Sequence, residues 1–89
     1  MTSGIAEQTD NSMIVIAPNP FTSKTTITFR VEQKNTTIKI IDILGKEIIN
    51  LNFSGKQLHF EKGEMLAGLY FIQVIDQNNN ITNTRIAIQ

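Results

Sequence analysis

The sequence contains no cysteine, and it has only two prolines and five glycines among 89 residues. Without cysteine the protein can form no disulfide bond, no thiolate zinc site and no cysteine nucleophile. A chain of this length buries only roughly 60 to 65% of its unfolded surface and has no room for a second core. We therefore expect one small domain that is held together by side-chain packing.

The sequence also lacks an excess of charge of either sign. Eight basic residues balance eight acidic residues, so the formal net charge is zero. Such a chain has no long-range field that would gather phosphates or anionic lipid. Nucleic acid and membrane surfaces are therefore not expected partners.

Long apolar runs and a signal peptide are absent as well. The apolar run from Leu66 to Ile72 is far shorter than the roughly 20 residues of a membrane-spanning helix. The first seventeen residues include Glu7 and Asp10 but no lysine or arginine, which does not fit a signal peptide. We interpret the domain as either cytoplasmic or exported by a signal upstream on a longer precursor.

The sequence is rich in β-branched residues, with fifteen isoleucines and ten threonines. These residues favour strands, and Ile27, Phe29 and Val31 alternate with polar residues as in a strand with one buried face. Seven short strands are predicted, at 13–17, 24–31, 36–43, 47–53, 57–61, 69–76 and 80–89. This pattern predicts an all-β fold, a sandwich of two antiparallel sheets, preceded by a flexible linker over residues 1–12.

Polar and glycine-containing segments separate the predicted strands. Pro18-Asn19-Pro20 is expected to form a stiff corner, because proline fixes its own φ and restricts the preceding residue. Gly45 supplies the positive φ that a hairpin over 42–46 requires. Further turns are predicted at 32–35, 54–55 and 77–79, with an irregular connection over 62–68. The apolar phase changes at Ile40 and Ile41, which indicates a bulge or burial on both faces.

Few residues could carry out catalysis. His59 is the only histidine, and alternation with Leu58 and Phe60 turns it towards solvent. Nothing in the sequence places Ser23 or Ser54 beside it with an orienting carboxylate, as a serine triad requires. We therefore expect a domain that is not an enzyme and that needs no cofactor.

The segment Asp76-Gln77-Asn78-Asn79-Asn80 resembles the opening of a calcium loop. However, Ile81 stands where such a loop needs glycine, and Ala87 stands where it needs a bidentate glutamate. A plain hairpin turn is the preferred interpretation, because asparagine tolerates left-handed geometry. A weaker calcium site of another type near Asp76 remains an alternative.

The aromatic residues suggest a core more than a sugar-binding platform. Alternation sends Tyr70, Phe29, Phe53 and Phe60 inward and leaves Phe21 and Phe71 exposed. Two exposed rings are a small platform, so core packing is the preferred interpretation.

Four motifs in order along the chain resemble a known family. These are Pro18-Asn19-Pro20 after an apolar strand, "IKIIDILGK" at 38–46, "LAGLYFIQV" at 66–74 and "TRIAIQ" at 84–89. Together they are similar to the C-terminal sorting domain, type A, of proteins exported by the type IX (Por) secretion system of Bacteroidetes. The resemblance covers residues 13–89. One departure is Arg85, at a position where lysine is common in the family.

The resemblance implies a small Ig-like sandwich that follows a cargo protein at its C-terminus. The family's domains are read by outer-membrane type IX machinery and are typically removed by a sortase-like peptidase. Export through the periplasm to the outer membrane, the cell surface or the exterior would follow. The residues that carry the motifs, and are candidates for recognition, are Pro18, Asn19, Pro20, Asp42, Gly45, Lys46, Gly68, Tyr70, Arg85, Ile86, Ala87, Ile88 and Gln89.

Each motif position also has a purely structural interpretation, in which the backbone needs the prolines and glycines and Tyr70 packs against a strand end. The last residues, 85–89, are the strongest recognition candidates, because a terminal strand at a sheet edge could pair with another chain. Such an edge could also form a dimer. Deleting 86–89 is expected to leave the cargo in the periplasm. The alternative function is an Ig-like or fibronectin-like accessory module that binds sugar or acts as a spacer in a surface enzyme or adhesin.

Overall fold

A computed structural model describes residues 14–89, so Met13 and the predicted linker over 1–12 lie outside the described residues. The regular elements of this range are five strands: β1 (Ile14–Ala17), β2 (Lys24–Asp42), β3 (Glu47–Glu61), β4 (Gly68–Ile75) and β5 (Ile81–Ile88). All four strand pairings are antiparallel. The described residues contain no helix of the length and apolar character that crossing a bilayer requires.

The two long strands are β2 and β3, and each of them takes part in both halves of the sandwich. The hydrogen-bonded order is β1-β2-β4-β5, with β3 also paired to β2. The first half of β2 lies between β1 and the end of β3, because residues 26–29 pair with 14–17 and residues 24–28 pair with 57–61. The second half lies between the start of β3 and β4, because residues 36–41 pair with 47–53 and residues 37–42 pair with 70–75.

The predicted number of seven strands is wrong, since residues 14–89 form five. The predicted segments 24–31 and 36–43 are parts of β2, and 47–53 and 57–61 are parts of β3. At the predicted turns the two strands stay paired and bend together, with register shifts on both sides of Gln33. Positive φ angles at Asn35 (49°) and Gly55 (133°) accompany this bend. Irregular pairing of this kind bends a strand without reversing the chain, which sequence periodicity does not distinguish from a turn.

One core joins the two halves of the sandwich, as the all-β, Ig-like prediction requires. Its buried residues are Ile14, Phe21, Ile27, Phe29, Ile38, Ile40, Phe60, Tyr70, Ile72, Val74, Ile86 and Ile88. The rings of Phe29 and Phe53 stack with centroids 5.4 Å apart. The predicted irregularity at Ile40 and Ile41 is confirmed as a register shift in the pairing with β3.

Two side chains are placed differently from the prediction. Phe21 was expected at the surface, but it is only 2% exposed and packs edge-on against Phe60 at 6.1 Å. Val31 was expected inward with Ile27 and Phe29, but it is 62% exposed. Val31 lies inside the register shift between Thr28 and Gln33, where strict alternation is lost.

The bend in β2 gives the domain two distinct ends. A straight strand of its length would span about 60 Å, whereas the longest dimension of the part of the chain that the structure describes is 34 Å. Both termini of β2 therefore lie at one end of the sandwich. This end, which we call the motif end, also contains the segments 18–23, 42–46, 62–67 and 85–89. The opposite end, the entry end, contains the bend and Ile14, which pairs with Phe29.

Candidate functional site

The proline-containing segment at the motif end holds the C-terminal strand. The side-chain amide of Asn19 donates to the carbonyl oxygen of Arg85 at 3.3 Å, and its oxygen accepts from the amide of Ala87 at 3.0 Å. One asparagine side chain thus satisfies a donor and an acceptor on the outer edge of β5, as a neighbouring strand would. The peptide bonds before Pro18 and Pro20 are both cis.

Phe21 extends this pairing by two backbone hydrogen bonds. Its amide donates to the carbonyl of Ala87 at 3.1 Å, and its carbonyl accepts from the amide of Gln89 at 2.8 Å. The result is a short parallel bridge between Phe21 and Ile88. The hydroxyl of Thr25 also donates to the carbonyl of Pro18 at 2.6 Å and ties the segment to β2. We call residues 18–21 the clamp.

The clamp limits how the C-terminal strand β5 can pair with a second chain. β5 is at the edge of the sheet, as expected, but its outward backbone groups at Arg85, Ala87 and Gln89 are already hydrogen-bonded to the clamp. A second chain could pair with this stretch only by displacing the clamp. The role of residues 85–89 in recognition stays a prediction.

Asp42 organises the neighbouring hairpin. One oxygen of its carboxylate accepts from the amides of Leu44 at 2.9 Å and Lys46 at 2.8 Å, and its carbonyl accepts from Gly45 at 3.0 Å. Gly45 has φ of +88°, a region that strongly favours glycine. The predicted hairpin with a positive-φ glycine is confirmed, and the turn presents Ile43 and Leu44 to solvent.

Tyr70 organises the third loop of the motif end. Its ring is buried, and its hydroxyl donates to the carbonyl of Leu66 at 2.7 Å. This bond fixes the irregular connection that precedes β4. Gly68, the first residue of β4, pairs with Ile88 of β5.

All the predicted site residues lie at the motif end, and they differ in exposure. Tyr70, Ile86 and Ile88 are buried, and Asp42 and Ala87 are half-buried. The exposed members are Pro18, Asn19, Pro20, Gly45, Lys46, Gly68, Arg85 and Gln89. Phe21 and Thr25 belong to the same arrangement but were missed, because their partners are distant in sequence or are backbone groups that no pattern reveals.

The other candidate chemical groups are engaged in ordinary contacts. His59 is exposed, as predicted, and its Nδ1 lies 3.2 Å from the Thr26 hydroxyl. Phe21, on which the sugar platform depended, is buried. Among the described residues, no group of three or more His, Cys, Asp or Glu side chains is arranged to hold a metal ion.

The Asp76 carboxylate closes the turn between β4 and β5. It accepts hydrogen bonds from the amides of Asn78 and Asn80 and from the Asn80 side chain, at 2.8 to 3.2 Å. These bonds, above all that from the Asn80 amide, lower the pKa of Asp76 below its ordinary value. Asn79 adopts φ of +66°, as expected for an asparagine in a hairpin turn.

Comparison with known proteins agrees with the motifs. Residues 15–89 match the family described as the secretion system C-terminal sorting domain. The chain is 32% identical over 79 residues to an endo-acting ulvan lyase of Formosa agariphila, which covers 88% of this chain. The same match spans only 15% of the lyase.

Two solved structures have a similar fold. PorZ, an essential bacterial surface component of the type IX secretion system of Porphyromonas gingivalis, matches with a TM-score of 0.72 and 18% identity, over 85% of this chain and 11% of PorZ. CopC of Methylosinus trichosporium OB3b matches with a TM-score of 0.56 and 16% identity, over 88% and 91% of the two chains. At such identities the similarity shows the fold.

The chain belongs to the family of secretion system C-terminal sorting domains. The type IX (Por) resemblance carried by its motifs is thereby confirmed, and so is its role as a sorting signal for an exported protein. The lyase activity named for the relative belongs to that protein, of which this domain would correspond to a small part.

Proposed function

We propose that this domain directs a cargo protein on its N-terminal side across the outer membrane to the cell surface or the exterior. We further propose that a sortase-like peptidase then removes the domain and that the domain catalyses no reaction. Membership of the sorting-domain family supports the first part. Removal by a peptidase is an expectation from the family resemblance, whereas the absence of catalysis is supported by the hydrogen bonds of the motif residues.

The observation that carries the proposal is the meeting of all four motifs at one end of the sandwich. The clamp holds β5, the Asp42 turn and the Tyr70 loop lie beside it, and β1 enters from the opposite end. A cargo joined before Ile14 would therefore leave the motif end free. This arrangement favours recognition of the motif end by the export machinery.

The hydrogen bonds of the motif residues favour a domain without enzyme activity. Asn19, Asp42 and Tyr70 each direct their polar side-chain atoms at backbone groups of the domain itself. Polar atoms that are used in this way stabilise loops and do not converge on a substrate. The motif residues thus build a shape for another protein to contact.

Removal of the domain is tested by the mass of a reporter that has reached the cell surface. A periplasmic reporter fused to residues 1–89 would be produced in a bacterium with a type IX system, and surface material would be measured by intact-mass spectrometry. We expect surface reporter that has lost most or all of the 10.0 kDa domain. Surface reporter that keeps its full mass would contradict removal.

Truncation of the last residues is a poor test of recognition. Removing residues 86–89 takes away Ile86 and Ile88, which are 1% and 3% exposed. Losing one such side chain typically costs about 2 to 5 kcal/mol, a large part of the stability of a small domain. A truncated cargo held in the periplasm would therefore report unfolding as readily as lost recognition.

A further inference from the structure

Three large apolar side chains at the motif end are unusually exposed. Ile43 is 67% exposed, Leu44 is 88% exposed and Leu66 is 78% exposed. We call these three residues the apolar tip. Single exposed apolar residues are common, but several on adjoining loops of so small a protein indicate a contact surface.

The motif residues hold the apolar tip in place. Asp42 fixes the turn that bears Ile43 and Leu44 through bonds to two amides, and Tyr70 fixes the carbonyl of Leu66. Asp42 and Tyr70 are themselves paired across β2 and β4, so the two loops share one support. Loops whose backbone is already held in place lose less conformational entropy when a partner binds.

A groove of about 620 Å³ borders the tip. Ile48, Met65 and Leu66 provide apolar lining. The charged lining residues have both signs, with an acidic excess: Asp42, Glu61, Glu64 and Lys62. Mixed charge, together with a net charge of zero, gives no attraction to an anionic membrane surface. An apolar contact inside a rim of mixed charge is typical of a protein partner.

The position of the remaining chain also bears on what covers the tip. The cargo and residues 1–13 connect at Ile14, at the entry end, on the far side of the domain. Residues 1–13, which we call the leader, could extend over about 45 Å. Their only large apolar residues are Met1, Ile5 and Met13. The leader is therefore a poor match for a tip that presents an isoleucine and two leucines.

We propose that the apolar tip enters an apolar recess on a protein component of the export machinery. The proposal rests on the sorting function and names the contact surface for it. Asp42, Gly45 and Tyr70 are positioning residues, and Ile43, Leu44 and Leu66 make the contact. The family motifs at 38–46 and 66–74 would then contain both the support of the surface and the residues that make the contact.

The test compares surface display of the reporter fused to residues 1–89 with display of a Leu44→Asp/Leu66→Asp double variant. Burying one leucine corresponds to about tenfold or more in affinity, so we expect surface reporter to fall at least about tenfold. A Leu44→Met/Leu66→Met variant should keep near-normal display. The purified double variant should unfold within a few degrees of the unchanged domain, because both side chains are already exposed.

Matched controls place the same substitution at exposed apolar residues away from the motif end. Val31→Asp and Ile81→Asp, at positions 62% and 57% exposed, should leave display near normal. Normal display of the tip variant, with normal display of the unchanged fusion, would overturn the docking proposal alone. Failure of the unchanged fusion to reach the surface would overturn the sorting function as well.

Other occupants of the tip would give different results. A purified domain that is dimeric by sedimentation, and monomeric with Leu44→Asp, would indicate a second copy. Binding to phosphatidylethanolamine and phosphatidylglycerol vesicles that Leu44→Asp abolishes would indicate lipid. A loss of display with Ile5→Asp equal to that of the tip variant would indicate the leader. Each of these results would contradict the proposal that the apolar tip enters a recess on the export machinery.

Discussion

Asn19 links the beginning of the folded domain to its end. Its side chain pairs with the backbone of Arg85 and Ala87, and the Phe21 ring next to it is buried against Phe60. The sequence shows Pro18-Asn19-Pro20 as a stiff corner, and proline accounts for that stiffness. It does not show why asparagine stands between the prolines. The structure gives the reason, since a side-chain amide can donate and accept on one strand edge.

Replacing Asn19 by alanine should destabilise the domain. Loss of two hydrogen bonds is expected to cost about 1 to 2 kcal/mol, which lowers Tm by about 5 to 15 °C for a domain of this size. Thermal unfolding by circular dichroism measures the shift. Hydrogen exchange at the Ala87 amide should also become faster.

Asn50→Ala is the matched control, because the Asn50 side chain makes one exposed bond to Glu47. This change should lower Tm by no more than a few degrees. Equal Tm values for Asn19→Ala and the unchanged domain would show that the Asn19 side chain does not hold β5.

At the scale of elements, the sequence predicted most strand positions and the wrong number of strands. Alternation placed Ile72 and Val74 of β4 in the core, because a half-buried strand has a strict period of two. It failed at Val31, where a register shift breaks that period. The sequence pattern also predicted two turns where β2 and β3 bend. A bend and a turn look alike in sequence, because polar residues and glycine are found in both. The clamp was not predictable, since its bonds join residues far apart in sequence.

The turn between β4 and β5 should make stability depend on pH. Hydrogen bonds to the carboxylate lower the pKa of Asp76 in the folded state below 3.8, its ordinary value. The unfolded state therefore binds the proton at higher pH than the folded state does. The stabilisation is present above about pH 4 and is lost as pH falls through the folded-state pKa.

Asp76→Asn tests this dependence, because an amide oxygen can still accept the two backbone bonds made to Oδ1 without titrating. Only the bond from the Asn80 side chain to Oδ2 is lost, since an NH2 group cannot accept it. The free energy of unfolding, measured by denaturant titration between pH 2 and pH 6, should fall less steeply at low pH in the variant than in the unchanged domain. Identical pH profiles would contradict the role given to Asp76. A side-chain NMR titration of Asp76 reports the direction of its pKa shift independently.

At the scale of the whole molecule, the domain places its point of attachment and its motif residues at opposite ends. The preceding chain enters beside the bend, whereas the clamp, the Asp42 turn, the Tyr70 loop and the C-terminus share the opposite end. A small core without disulfide bonds is enough to keep these loops in one arrangement. The fold class followed from strand patterns, but the shared end depends on the bend in β2 and became visible only in three dimensions.

The central claim is that this domain by itself carries the export signal. The most direct measurement is the fraction of a periplasmic reporter labelled at the cell surface when the reporter is fused to residues 1–89. We predict surface reporter in cells with an intact type IX system, and periplasmic reporter both without the domain and in cells that lack the translocation machinery. Periplasmic reporter in the intact cells, or surface reporter without the machinery, would contradict the claim.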